Sequence, residues 1–399
     1  MRRIAILLSA GVVVATICGP AQVAQGTSVV VDELLGGRLV ESWGACEVPG
    51  GWVVVHHDGY TSAGGQTTGM RLFQGTDANA VVTRKWSRKS KVSGKVPDRH
   101  DCVSADFDRN GLVDFYVTAG RGGANDTKEG RGNELWLQKE PGIYRNRAVA
   151  WGVDDVCGRS HYAATADFNR DGYNDLFVGN ASPRDDPDDP CDAIPGSEAS
   201  HLYLNQQGAG FTDATSVWGL TGNGGVHCAE AGQFAGTRAP DLIVCRDGGL
   251  AVLRNTGGSF VDRRAAFGIP ATNWKQATLG DVTGDGTADL VTATSTNVQV
   301  WPGFRAPALT AYSGDSFHGV GVNPDGDIFV VRSNPYTSGT NPPDVVLIRE
   351  ATSWSPQMVP GAPGLGDFAL WLEGPQAWLV GNGLEDTLGP LQLVQTLDG

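Results

Sequence analysis

Three stretches of the sequence repeat one pattern of oxygen-bearing side chains around a glycine. The stretches ADFDRNGLVDFYV from Ala105, ADFNRDGYNDLFV from Ala166 and GDVTGDGTADLVT from Gly280 superimpose without gaps. Each contains a loop with Asp, Asn or Thr at positions 1, 3, 5 and 9, a glycine at position 6 and a backbone carbonyl at position 7. The predicted ligands are Asp106, Asp108, Asn110, Leu112 and Asp114 in loop 1, Asp167, Asn169, Asp171, Tyr173 and Asp175 in loop 2, and Asp281, Thr283, Asp285, Thr287 and Asp289 in loop 3.

The type and spacing of these oxygens favour calcium. Alternating side-chain oxygens wrapped around a glycine turn, with one carbonyl, form a hard oxygen cage, whereas magnesium demands a tighter octahedron. An EF-hand loop would end with Glu at position 12 inside a helical pair, but here Asp at position 9 leads directly into a strand. A metal-free turn capped by its own Asp and Asn side chains is the alternative for any one loop. Three copies in register predict about three calcium ions in a structural role.

The loops belong to a longer repeat. Strand-forming residues flank each loop, which predicts a tight β-hairpin, and third-strand segments such as HLYLN from His201 follow. Fourth-strand segments such as FTDATSVWGL from Phe211 place Trp151, Trp218 and Phe267 at one shared position, which predicts packing between neighbouring sheets. Weaker copies upstream and downstream give seven units of about 53 residues each.

The loop spacing and the order of the strand motifs resemble the FG-GAP or VCBS repeats of integrin-α-like propellers, especially the ASPIC/UnbV type. The resemblance implies an all-β fold, a seven-bladed β-propeller of four-stranded blades that forms one domain over residues 27–399. The run SVVVDELLGG from Ser28 has the order of a fourth strand, so we expect it to complete the last blade and close the ring. The resemblance also implies adhesion or lectin-like recognition.

The amino terminus and the composition limit the class of protein. Arg2 and Arg3 precede the apolar run IAILLSAGVVVATIC, so residues 1–26 are predicted to be a secretory signal peptide, and we expect a secreted protein without a membrane span. The net charge of −14 argues against nucleic-acid binding, which needs clustered Lys and Arg. With 56 glycines, 21 prolines and only 19% charged residues, the chain is not a helical bundle.

Six cysteines follow the predicted signal peptide, an even number that predicts three disulfides in an oxidising compartment. Hairpin geometry places Cys228 almost opposite Cys245. This pair flanks the loop of the fourth unit, where Asp241 alone survives from the ligand pattern, so we expect a covalent clip there in place of calcium. For the others we favour Cys157–Cys191, which leaves Cys46–Cys102.

A second set of residues recurs at a constant offset from the loops. Six residues before position 1 stand His100, His161, His227 and Lys275 in four consecutive units. At about 3.3 Å per residue this point lies roughly 20 Å from the loops, at the upper mouth of the central channel. There these groups would suit an anionic group of a ligand, such as a sugar carboxylate or a sulfate. Alternatives are a transition-metal site, proton transfer by imidazole, or hydrogen bonds that only bridge neighbouring strands.

The leading functional hypothesis is a non-catalytic, calcium-stabilised propeller that recognises an extracellular glycan or protein. The sequence contains no nucleophile elbow, P-loop or HExxH helix, so no catalytic residue is predicted. An extracellular hydrolase or lyase with its site at the channel mouth is the runner-up, and a recognition subunit of a secreted assembly such as a toxin particle is the third hypothesis. The long loops His56–Gly69, Ala119–Gly132 and Gly179–Ser200 are placed on the same upper face. The sequence leaves the oligomeric state open.

Overall fold

The computed structural model contains seven antiparallel four-stranded sheets. It describes residues 28–40, 42–56, 70–75, 80–86, 98–120, 132–182, 191, 199–221, 224–234, 236, 238–272, 274–315, 317–332, 342–360, 369–372, 376–381 and 388–397. The predicted signal peptide, residues 1–26, lies outside these residues. The arrangement confirms the predicted all-β, seven-bladed propeller with four-stranded blades.

Strand β1 (Ser28–Val40) comes first along the chain, and the remaining strands form blades 1 to 7 in order. Blades 1 to 3 are β2 (Ser42–Val48), β3 (Gly51–His56), β4 (Met70–Gln74) and β5 (Val81–Trp86); β6 (Arg99–Ala105), β7 (Asp114–Ala119), β8 (Glu134–Glu140) and β9 (Ile143–Asn146); and β10 (Ser160–Ala166), β11 (Asp175–Asn180), β12 (His201–Asn205) and β13 (Phe211–Asp213). Blades 4 and 5 are β14 (Val226–Gly232), β15 (Asp241–Arg246), β16 (Gly249–Asn255) and β17 (Phe260–Asp262); and β18 (Gln276–Gly280), β19 (Asp289–Ala293), β20 (Asn297–Trp301) and β21 (Leu309–Ser313). Blades 6 and 7 are β22 (Gly319–Val322), β23 (Ile328–Val331), β24 (Val345–Arg349) and β25 (Trp354–Met358); and β26 (Ala369–Leu372), β27 (Ala377–Val380) and β28 (Leu388–Leu397).

Blade 7 takes its outer strand from the start of the described chain. Its strand order is β1–β28–β27–β26, and β1 runs antiparallel to β28 with Ser28 opposite Leu397. The first strand of every blade lines the central channel, and β2, β6, β10 and β14 contact one another in sequence. Loops 1, 2 and 3 each join the first and second strands of blades 2, 3 and 5. They therefore lie on one rim, called here the lower rim, and the first strands begin at the opposite, upper mouth.

The hydrophobic core is divided among the interfaces between blades. Seven clusters of buried residues each draw on two neighbouring blades. Trp218 is buried between blades 3 and 4, and Trp151 and Phe267 pack against the clusters of blades 2–3 and 4–5. These three aromatic side chains have the predicted packing role. Because each cluster needs both of its blades, the stability of one sheet depends on its neighbours.

The fourth strands are shorter than the segments predicted for them. Strands β13 and β17 contain three residues each, and the second half of the blade 2 and blade 4 segments turns into the helix Ala148–Trp151 and the 3₁₀ turn Ala265–Phe267. Gly152 and Gly268 end these turns in the left-handed conformation, at φ of 71° and 74°, which explains the glycine after each aromatic residue. A further 3₁₀ turn spans Pro302–Phe304. No helix among the described residues is long and apolar enough to cross a bilayer.

Three disulfides pair the six cysteines as predicted. Cys228 lies opposite Cys245 in the hairpin of blade 4, with 4.8 Å between their Cα atoms. Cys46 is joined to Cys102, which links the innermost strands of blades 1 and 2. Cys157 is joined to Cys191.

In blades 2 to 5 a buried aspartate holds the hairpin loop to the third strand or, in blade 5, to the 3₁₀ turn that follows it. In blade 2, Asp114 is fully buried and accepts hydrogen bonds from the N–H of Phe107 in the loop (2.9 Å) and of Gln138 in the third strand (2.7 Å). The same bracing occurs at Asp175 with Phe168 and Asn205, at Asp241 with Phe234 and Asn255, and at Asp289 with Thr283 and Gly303. Blade 4 keeps this aspartate although its other acids are gone, so the bracing operates there without the ligand pattern.

The ends of two third strands extend this network to the preceding blade. The amide of Asn205 donates to the carbonyl of Phe107 (2.9 Å), and the amide of Asn255 donates to the carbonyl of Phe168 (2.8 Å). Both asparagines are buried, and their side chains replace water as partners of these loop carbonyls. The lower rim is thus tied together across blades 2, 3 and 4.

Replacing Asp241 with Ala should therefore destabilise the protein by about 3 kcal/mol, because two backbone N–H groups lose their charged acceptor inside the fold. Urea unfolding in excess chelator measures this loss without a contribution from metal. Glu140→Ala at an exposed strand end is the matched control and should change the free energy of unfolding by less than 0.5 kcal/mol, as roughly expected for a surface site. A loss below about 1 kcal/mol at position 241 would mean that the brace is not needed.

Candidate functional site

The three loops share one backbone conformation. The glycine at position 6 has a positive φ in each, at 84° for Gly111, 91° for Gly172 and 81° for Gly286. A side chain is strained in this left-handed region, which confirms the sharp turn predicted from the spacing. Identical turns place the oxygens of positions 1, 3 and 5 in the same order around each loop.

The aspartate at position 1 organises the turn. Asp106 accepts the N–H of Asn110 (3.1 Å) through one oxygen and the N–H of Gly111 (2.8 Å) through the other. Asp167 and Asp281 accept the equivalent N–H groups, those of Asp171 and Gly172 and of Asp285 and Gly286, at 2.8–3.0 Å. The side chain at position 5 accepts the N–H of position 7, where Leu112, Tyr173 and Thr287 stand. These loops are therefore held by their own side chains.

Loop 1 gathers its carboxylates most closely. One oxygen from each of Asp106, Asp108 and Asp114 lies within 4.8 Å of the others, the one such trio among the described His, Cys, Asp and Glu side chains. Burial, with smaller contributions from the negative charges of Asp108 and Asp106, raises the pKa of Asp114 to about 7. A cation at this point would favour the ionised carboxylates. Lys139 donates to Asp108 at 2.5 Å and supplies a positive charge there. The donor set fits a calcium ion.

Loops 2 and 3 share the turn but hold their oxygens differently. In loop 2 the amide of Asn169 donates to Asp171 at 3.1 Å, and Asp175, whose pKa burial raises to about 7, is used by the brace. In loop 3 the hydroxyl of Thr283 donates to Asp289 at 2.9 Å. All fifteen predicted ligand positions are described, and calcium in each loop stays a prediction.

The recurring residues at the upper mouth sit on a repeated irregularity of the innermost strands. Register shifts occur at the second residue of these strands in blades 1 to 4, where one residue more stands on the first strand than on its partner. The residues at the shifts are Trp43, His161 and His227, and in blade 2 the shift spans His100 and Asp101. A β-bulge turns side chains away from the regular alternation of a strand. Four consecutive blades thus present a ring-bearing side chain from the same distortion.

The structure brings two of the predicted histidines into contact. The rings of His100 and His161 are stacked, with centroids 3.8 Å apart, and the indole of Trp43 meets His100 edge-on at 4.5 Å. Asp98 lies 3.2 Å from Nε2 of His100, which is buried. His161 and Trp43 are partly exposed.

The other two predicted residues, His227 and Lys275, interact electrostatically. Burial lowers the pKa of His227, and Lys275 lowers it further, while Asp247 opposes the shift. Lys275 is exposed and directly precedes β18, where its N–H bonds the carbonyl of Ala293 at 2.7 Å. The described residues show no bulge at this point of blade 5. The anionic ligand stays a prediction.

Trp43 could not be identified by counting back from a loop. Blade 1 joins β2 to β3 by the short turn at Gly50 and lacks the acidic pattern, so its register was not fixed by the sequence. Most of the three long loops of the upper face lies outside the described residues.

Comparisons with known proteins agree with this architecture. Residues 233–292 match a family model described as an FG-GAP-like repeat. No curated protein matches the chain. Among solved structures, the Dos1 propeller aligns over 92% of this chain and 95% of its own, at 12% identity and a TM-score of 0.51. The extracellular domain of a hybrid two-component system from B. thetaiotaomicron aligns over 92% of this chain and 40% of its own, at 9% identity and a TM-score of 0.50.

A third structure is that of an Agrocybe aegerita lectin in specific recognition of non-reducing terminal N-acetylglucosamine. It aligns over 93% of this chain and 90% of its own, at 15% identity and a TM-score of 0.48. At these identities the similarities show the fold alone. The described residues form a seven-bladed β-propeller, in which residues 233–292 match an FG-GAP-like repeat.

Proposed function

We propose that this protein is a secreted, calcium-stabilised, non-catalytic propeller that recognises an extracellular glycan at the upper mouth of its channel. The observation that carries the proposal is the row of bulges that presents Trp43, His100 and His161 as one ring cluster. Aromatic faces with a few well-placed polar groups are typical of small-ligand sites. The exposed Lys275 on the same mouth supplies a cation for an acidic sugar.

Secretion is supported by the cysteines. Three disulfides use all six cysteines that follow the predicted signal peptide, and such bonds persist in oxidising compartments. A glycan on a cell surface or in a matrix would be accessible there.

In this proposal the calcium ions bind at the lower rim, opposite the mouth, and stabilise the fold. Loop 1 has the convergent carboxylates, and loops 2 and 3 have the same turn and the same first-position aspartate. An ion in each loop would offset the repulsion among the carboxylates of that loop and would stabilise the hairpin that joins the first and second strands of the blade.

Chelation should lower the melting temperature, because an ion that binds only the folded state stabilises it by about 2.7 kcal/mol at 100 times its Kd. Equilibrium dialysis should count about three ions, and Asp106→Ala, Asp167→Ala and Asp281→Ala should each remove about one. Lys139→Ala should tighten binding in loop 1, because it frees an oxygen of Asp108. Unchanged melting in excess chelator would contradict a structural role for the metal.

The double variant His161→Ala, Lys275→Ala should lose glycan binding at least tenfold while its ion count and melting temperature stay nearly unchanged. A glycan array probed with labelled protein measures this, and acidic glycans should give the strongest signals. Lys85→Ala, Arg145→Ala on outer strands is the matched control, since it removes two exposed charges far from the mouth. Full binding by the mouth variant would refute the site and point to the long loops, and loss of folding would favour a bridging role.

A further inference from the structure

From the ring cluster downward, the central channel contains an open cavity of about 540 Å³ lined by the innermost strands of all seven blades. Small residues, among them Gly44, Ala163, Ala229 and Gly321, keep the bore open. A cavity of this size accommodates a small organic molecule.

The walls of the cavity carry charge of one sign. Glu47, Asp101 and Glu230 line it, and the described lining residues include neither Lys nor Arg. The other titratable groups of the lining are Tyr162 and His318. Low-dielectric walls focus the field of such carboxylates along a channel and concentrate cations in it.

Two of the carboxylates are held in place by the neighbouring blade. Asp101 accepts the N–H of Ala163 (3.0 Å) from blade 3, and Glu230 accepts the N–H of Leu279 (3.2 Å) from blade 5. These hydrogen bonds do not compensate for the desolvation of the two carboxylates, because burial raises the pKa of Asp101 to about 6 and that of Glu230 to about 7. A cationic ligand would provide the missing favourable interaction.

The arrangement fits an extended organic cation better than a metal ion. Asp101 stands five residues before its loop and Glu230 three before the equivalent point, so they lie about 7 Å apart along the channel axis. They come from different blades, and neither belongs to a described cluster of metal-ligating atoms. The indoles of Trp43 and Trp371 also line the cavity and can pack against methylene groups or an ammonium group.

We propose that the channel is a binding site for a short linear diamine, whose two ammonium groups pair with Asp101 and Glu230 at different depths. The methylene chain would lie along the aromatic and small residues of the wall. This site adjoins the glycan site at Trp43, which belongs to both, but it extends inside the bore and selects the opposite charge.

Isothermal titration of the full protein with butane-1,4-diamine in calcium and constant salt tests the proposal. We expect saturable binding of one diamine, no binding of the neutral isostere butane-1,4-diol, and at least a tenfold loss of affinity in Glu230→Gln and in Asp101→Asn. Glu140→Gln, at the exposed end of the third strand of blade 2 and outside the cavity lining, is the matched control and should bind like the wild type. Equal binding of the diol, or equal loss in the control variant, would overturn the proposal, as would competition by calcium.

The wild-type protein offers a second readout should either channel variant fail to fold. Diamine affinity should rise at least tenfold between pH 5 and pH 8, because both carboxylates ionise as the pH passes about 6 and 7 while the diamine stays charged. Protonation of His318 at low pH acts in the same direction. A diamine affinity that does not change with pH would overturn the pairing. A glycan-array pattern that stays unchanged when the diamine is added would show that the diamine does not occupy the glycan site.

Discussion

The buried aspartate at the start of the second strand is the constraint on which each loop-bearing blade depends. A carboxylate removed from water must find donors, and here the donors are the N–H groups of the hairpin loop and of the third strand. This pairing fixes where the first strand ends. The buried asparagines Asn205 and Asn255 then tie one loop to the next, so the register of neighbouring innermost strands is set from the lower rim.

That constraint explains why the sequence predicted the fold so well. Position 9 of the loop and the strands around it recur at fixed spacing, and the four-stranded blades and their seven-fold number follow from the repeat. The same aspartate was interpreted only as a metal ligand, because a pattern of oxygens does not reveal which of them also accept backbone N–H groups. Asp241 separates the two roles, since it keeps the brace in a blade that lacks the other acids.

The candidate sites could be predicted only in part, and the reason is geometric. Counting from a loop locates His100, His161 and His227 on one level, but the bulges that turn them and the stacking of the first two depend on contacts between blades. Trp43 and the channel carboxylates belong to no motif. Asp101 and Glu230 meet their partners across blade boundaries, and such pairings are not encoded by the spacing within one repeat.

The acidic loops, which we propose to serve stability, and the ring cluster, which we propose to serve recognition, lie at opposite ends of the innermost strands. The loops lie at the lower end of the innermost strands and the ring cluster lies at the upper end, about 20 Å away, beyond the Debye length of about 8 Å in physiological salt. Charge at the lower rim therefore has little electrostatic effect on a ligand at the mouth. The carboxylates of Asp101 and Glu230 lie between these two levels, so a molecule that enters past Lys275 meets them inside the bore. The two proposed sites therefore differ in depth and in the charge that each would select, an acidic sugar at the entrance and an amine within the bore.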